Sequence, residues 1–124
     1  MLLNIALIAG GMAKEFLASL KADSAKIKAL AADEAQKLAM SLATIGQMLR
    51  EGDIDQEEAE ALVEVQRAAT ETVFASLEGI GRVAARRATR AGLSSVVEAV
   101  DGAIGVPLVG TLIGEPQTER ADPS

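Results

Sequence analysis

Two groups of side chains carry whatever chemistry this chain can perform. Residues 50–72 hold eight carboxylates, Glu51, Asp53, Asp55, Glu57, Glu58, Glu60, Glu64 and Glu71, against Arg50 and Arg67. Paired carboxylates serve as general acid and base where burial or a like charge raises one pKa. These lie on a polar turn with no sign of a pocket, so no catalytic role is assigned to them. The second group is the cluster "RRATR", Arg86, Arg87 and Arg90. It has the charge to contact phosphates. On a chain of net charge −6, however, three arginines read as a basic collar or as salt-bridge donors. General nucleic-acid binding is not expected.

The acidic stretch "EGDIDQEEAEALV" resembles the second half of an EF-hand loop, with Gly52, Ile54 and Glu58 at the glycine, hydrophobic and bidentate-acid positions. The first half fails: the leading ligand positions fall on Gln47, Leu49 and Glu51, where Asp or Asn should dominate. A capped helix start explains the same residues, and no metal is expected. His, Cys, Trp and Tyr are all missing. That excludes the usual zinc sites, a thiol nucleophile, an imidazole base and a base-stacking platform. No cofactor and no enzymatic activity are expected.

The elements that position these groups are helices. Alanine, present 24 times, keeps no side-chain entropy to lose in a helix, and no strand-like alternation occurs. The strong punctuation is "LREGDIDQEE": Gly52 as a helix C-cap residue, then Asp55 and Glu58 as a capping box. This predicts a helix over about 4–51, a turn at 52–54 and a helix over about 55–104. Residues 1–106 form a single helical domain, and 107–124 an apolar and then disordered tail. Each arm could reach about 70 Å. The matching lengths favour an all-α, long antiparallel hairpin with a kink or turn at Gly79–Gly81. A weaker break is seen at "KADSAK". A compact three- or four-helix bundle is the alternative.

Both arms carry a seam of small residues at alternating steps of three and four: Ala22, Ala25, Ala29, Ala32 and, past Gln36, Ala39 and Ala43 in the first, and Gly81, Ala85, Ala88, Gly92 and Ser95 in the second. These seams are expected to pack the arms closely, with the bare second seam facing the bulkier start of the first arm around Ile5, Ile8, Met12 and Phe16. The second arm's core face before Gly79 reads as Ala59, Leu62, Val63, Ala69, Val73, Leu77 and Ile80. The first arm has a second apolar face, Phe16, Leu20, Ile27, Leu30, Leu38 and Ile45. One partner helix cannot cover both faces, so this second face is expected to carry self-association, in the manner of a coiled coil.

Far from the turn, Leu2, Leu3, Ile5, Leu7 and Ile8 join Val97, Val100 and Ile104 in an apolar tip, behind a basic collar of Lys14, Arg86, Arg87 and Arg90. Neither apolar segment reaches the roughly 20 residues needed to span a bilayer, but a basic collar above an apolar face suits shallow insertion. The expectation is a cytoplasmic, non-enzymatic assembly protein forming homo-oligomers. The tip packs in a shared core or docks peripherally on a membrane surface. A small membrane-active protein of pore or lysis type, and an adaptor for the amphipathic helix of a partner protein, are the alternatives.

Overall fold

Asn4 opens the first helix, its Oδ1 accepting the Leu7 N–H at 3.1 Å. In the computed structural model, which describes residues 4–21 and 24–113, α1 (Ile5–Leu20) stops at Lys21. This residue turns left-handed (φ 55°) and donates its N–H to the Leu17 carbonyl at 3.0 Å. Ser24 then caps α2 (Ala25–Arg50), its Oγ accepting from Ile27 N at 3.1 Å. The continuous helix expected over 4–51 is therefore two helices. The signal for the break was the weak "KADSAK".

The central turn follows its sequence. Gly52 is left-handed, at φ 80°. Asp55 Oδ1 accepts from Glu58 N at 2.8 Å and Glu58 Oε1 accepts from Asp55 N at 2.9 Å, starting α3 (Gln56–Ala75). The helix expected over 55–104 is divided as well. Successive turn bonds close residues 76–80, Gly79 takes φ 85°, and α4 (Arg82–Ser95) begins after an extended Gly81. The glycine pair is a turn. After Val96 come α5 (Val97–Ile104) and the single-turn α6 (Val109–Leu112). Asp101 holds α6 in place, its two carboxylate oxygens accepting from Val109 N at 2.8 Å and Gly110 N at 2.9 Å.

The described residues are all helix and turn. The pairings of a hairpin are present, α1 on α4 and α2 on α3, but α1 also packs on α2 and α3 on α4. The breaks between α1 and α2 and between α3 and α4 bring these extra pairs together. One core results, with Met12, Phe16, Leu38, Leu42, Phe74 and Leu93 among its sealed side chains. At its centre Phe16 and Phe74 meet edge to face, centroids 4.9 Å apart at 72°. That geometry adds about 0.5–1.5 kcal/mol beyond the area buried.

Glycines set how closely the helices approach at two points. Gly92 of α4 leaves the space that the Phe16 ring fills, and Gly46 of α2 leaves that of the Ile104 side chain, 2.9 Å from where a Cβ would stand.

Candidate functional site

The face expected to bind a second copy is largely the chain's own core. Phe16, Leu20, Leu38 and Ile45 are buried, and Ile27 and Leu30 are half-buried. Folding the arms over lets these side chains cover one another within one chain, which the continuous arms did not permit. The seams divide the other way. Ala39, Ala85, Ala88 and Gly92 are buried and Ala43 is half-buried, whereas Ala25, Ala29, Ala32, Gly81 and Ser95 are exposed. Instead of Ala25, Ala29 and Ala32, α2 turns Ala31 and Ala35 inward. Ala22 lies outside the described residues.

The tip is mostly core too: Ile8, Val100 and Ile104 are buried, and Ile5 and Val97 are half-buried. Leu7 is the exception at 72 % exposed; Leu2 and Leu3 lie outside the described residues. The collar residues Lys14, Arg86, Arg87 and Arg90 are all exposed, with Arg90 donating to the Ile113 carbonyl at 2.9 Å.

What the sequence did not indicate is the face shared by α2 and α3. Leu62, read as core, is exposed, as are Val65 (59 %) and Met40 (51 %). The buried stripe of α3 is Ala59, Val63, Thr70 and Phe74, rotated just far enough to bring Leu62 and Ala69 out. Met40, Thr44, Met48, Leu62 and Gln66 line a cleft of about 280 Å³ between the two helices. On its wall Ser41 Oγ donates to Gln66 Oε1 at 3.2 Å, so these polar groups answer each other. No ionisable side chain lines the cleft. Its lining is apolar and neutral polar, and its two unbranched methionines can repack.

Along α2 the same face continues as Lys26, Asp33, Met40, Thr44, Gln47 and Glu51, all exposed. At 3.6 residues per turn these fall within an arc of about 60°.

One charged cluster on α3 is committed locally. Arg67 bridges Glu64 (Nη2–Oε2 2.7 Å, Nε–Oε1 2.8 Å) and Glu71 (Nη1–Oε1 2.5 Å) on its own helix. The Arg67 hydrogen bond holds the Glu64 carboxyl below its ordinary range, against a smaller opposing effect of burial, and the same contacts raise Arg67 further above its own. A carboxyl pushed downward is the wrong kind for a general acid at neutral pH. Among the described residues no group of three or more acids is placed to hold a metal ion. Among them, too, no helix is long and apolar enough to cross a membrane.

No protein-family model, no curated protein and no solved structure matches this chain.

Proposed function

We propose that this chain is a non-enzymatic assembly protein that associates with copies of itself through the α2–α3 face. The folded unit in this reading is a compact bundle of four long helices, so association joins closed units rather than completing an open hairpin. The observation that carries it is the uncovered apolar rim of the cleft, which Met40 and Leu62 line, with Val65, exposed as well, three residues beyond Leu62 on α3. Covering such side chains fully is worth about 1.5–3 kcal/mol each, less here in proportion to what is already covered. The lack of His and Cys and of an ionisable group in the cleft supports the non-enzymatic part.

Sedimentation velocity over a concentration series tests it. The wild-type chain should associate in the micromolar range, and Met40→Glu and Val65→Glu should each shift it to monomer with unchanged helix content. A wild type that stays monomeric at every concentration sinks the reading.

A second reading rests on Leu7, 72 % exposed at the start of α1, together with the exposed arginine collar: peripheral docking on an anionic membrane. Flotation with anionic vesicles, lost in Leu7→Glu, would favour it. Protein that stays at the bottom of the gradient at both low and high salt removes it.

A further inference from the structure

We infer that the occupant of the α2–α3 face is the same face of a second copy, turned antiparallel about a two-fold axis beside Met40, with Lys26 of each copy set against Glu51 and Asp53 of the other. This deepens the self-association reading and rests on it.

The argument is one of charge and register. Lys26 precedes Met40 by 14 residues and Glu51 follows it by 11, on the same face of one helix. A two-fold axis at Met40 brings them level to within about one turn, roughly 4.5 Å, a gap that a lysine side chain spans. The same operation sets Asp33 beside Gln47 of the other copy, whose amide donates one N–H to its own Glu51 at 2.8 Å and keeps a second for Asp33. Each Met40 faces the other copy's cleft. In an isologous contact every such pair occurs twice. The parallel arrangement fails on charge, because it stacks Glu51, Asp53, Asp55, Glu57 and Glu58 of one copy on the same five carboxylates of the other.

A second observation comes from α2 alone. Its first turn contains Lys26 and Lys28 and no acid, and Glu51 stands at its C-cap. The helix macrodipole disfavours cations at the N-terminus and anions at the C-terminus. The N-terminal end of α2 is therefore charged against its own helix, a local inconsistency of the kind that marks functional positions, whereas at the C-terminal end Arg50 in the last turn offsets Glu51. A second copy laid antiparallel brings its Glu51 and Asp53 to that uncompensated N-terminus. The dimensions are sufficient as well, since a face about 40 Å long and two helices wide is of the order of the ~800 Å² per partner that stable interfaces bury.

The test is a charge swap read by sedimentation equilibrium at about 50 mM and about 500 mM salt, conditions that leave and remove most surface electrostatics. Lys26→Glu and Glu51→Lys should each weaken the dimer about tenfold at low salt, since each reverses two pairs. Neither should unfold the monomer, because each places its new charge where the α2 dipole favours it. An equimolar mixture of the two variants, and the double variant K26E/E51K, should recover wild-type affinity to within about threefold at low salt. Recovery in both supports the antiparallel contact. A wild-type dimer that neither single variant weakens, or weakening that the mixture does not repair, overturns this geometry and leaves self-association standing. A wild type that remains monomeric at low salt overturns both.

Discussion

Gly92 and Phe16 interlock: a Cβ built on Gly92 would collide with the phenyl ring, its Cδ1 at 2.7 Å and Cζ at 3.0 Å. Two helices distant in sequence, α1 and α4, thus meet at a point where one supplies no side chain and the other the largest in the core. At Gly92 the bare stripe of the second arm admits that ring, while Gly81 and Ser95 of the same stripe face solvent.

Gly92→Ala should destabilise the fold by about 1–3 kcal/mol through overpacking, because a ring sealed on every side has nowhere to move. Phe16→Leu in the same background should recover part of the loss. Urea unfolding of the two single variants and the double variant checks this as a cycle. Additive losses would mean that the two positions do not share one space.

Asp55→Ala should cost about 1 kcal/mol, since it removes the oxygen that accepts from Glu58 N and leaves the first turn of α3 without its cap. Glu58→Ala removes only the reciprocal bond to Asp55 N and should cost less. Thermal unfolding of both variants ranks them, and the reverse order would contradict the capping box as the device that starts α3.

Asp101→Ala should release α6. Its carboxylate holds the N–H groups of Val109 and Gly110, and Val109 and nearby Leu108 are fully buried. The expected readout is faster hydrogen exchange at those two amides, with slow exchange retained in α2 and α3. Global loss of protection would show instead that α6 belongs to the main cooperative unit.

Glu64 sets a pH dependence. Its folded-state pKa lies below the ordinary value of 4.5 through the hydrogen bond from Arg67. Its contribution is therefore present above that ordinary value and is lost as pH falls through the lowered one. Glu64→Gln should flatten the stability profile on the acid side of the ordinary value of 4.5. Because the Glu64 side chain is 49 % exposed, salt should diminish the difference between the two profiles. A slope unchanged in the variant would assign the acid dependence to other carboxylates.

Much of the local structure is legible in the sequence because its causes are local. Gly52 at positive φ and the Asp55–Glu58 box need only neighbours within one turn, and both stand where the pattern puts them. Helicity follows from the alanines and the absence of strand periodicity. The arginine cluster, the acidic stretch and the missing imidazoles and thiols bound the chemistry in the same residue-by-residue way.

Which face of each helix turns inward is a different kind of question. The region of α2 reads as apolar on two sides, Ala25–Ala29–Ala32 on one and Leu38–Ile45 on the other, and nothing within it ranks the two. The ranking comes from α1 folding back at Lys21, a residue with no special tendency toward positive φ. That bend is held by contacts made far along the chain: Phe16 in the space at Gly92, its ring against Phe74, and Ile104 in the space at Gly46. Once those are made, the leucine face is sealed, Ala25, Ala29 and Ala32 turn to solvent, and α3 leaves Leu62 and Val65 uncovered beside Met40. Helical periodicity determines that a face exists, whereas only the summed burial of distant side chains decides which face becomes core and which stays exposed.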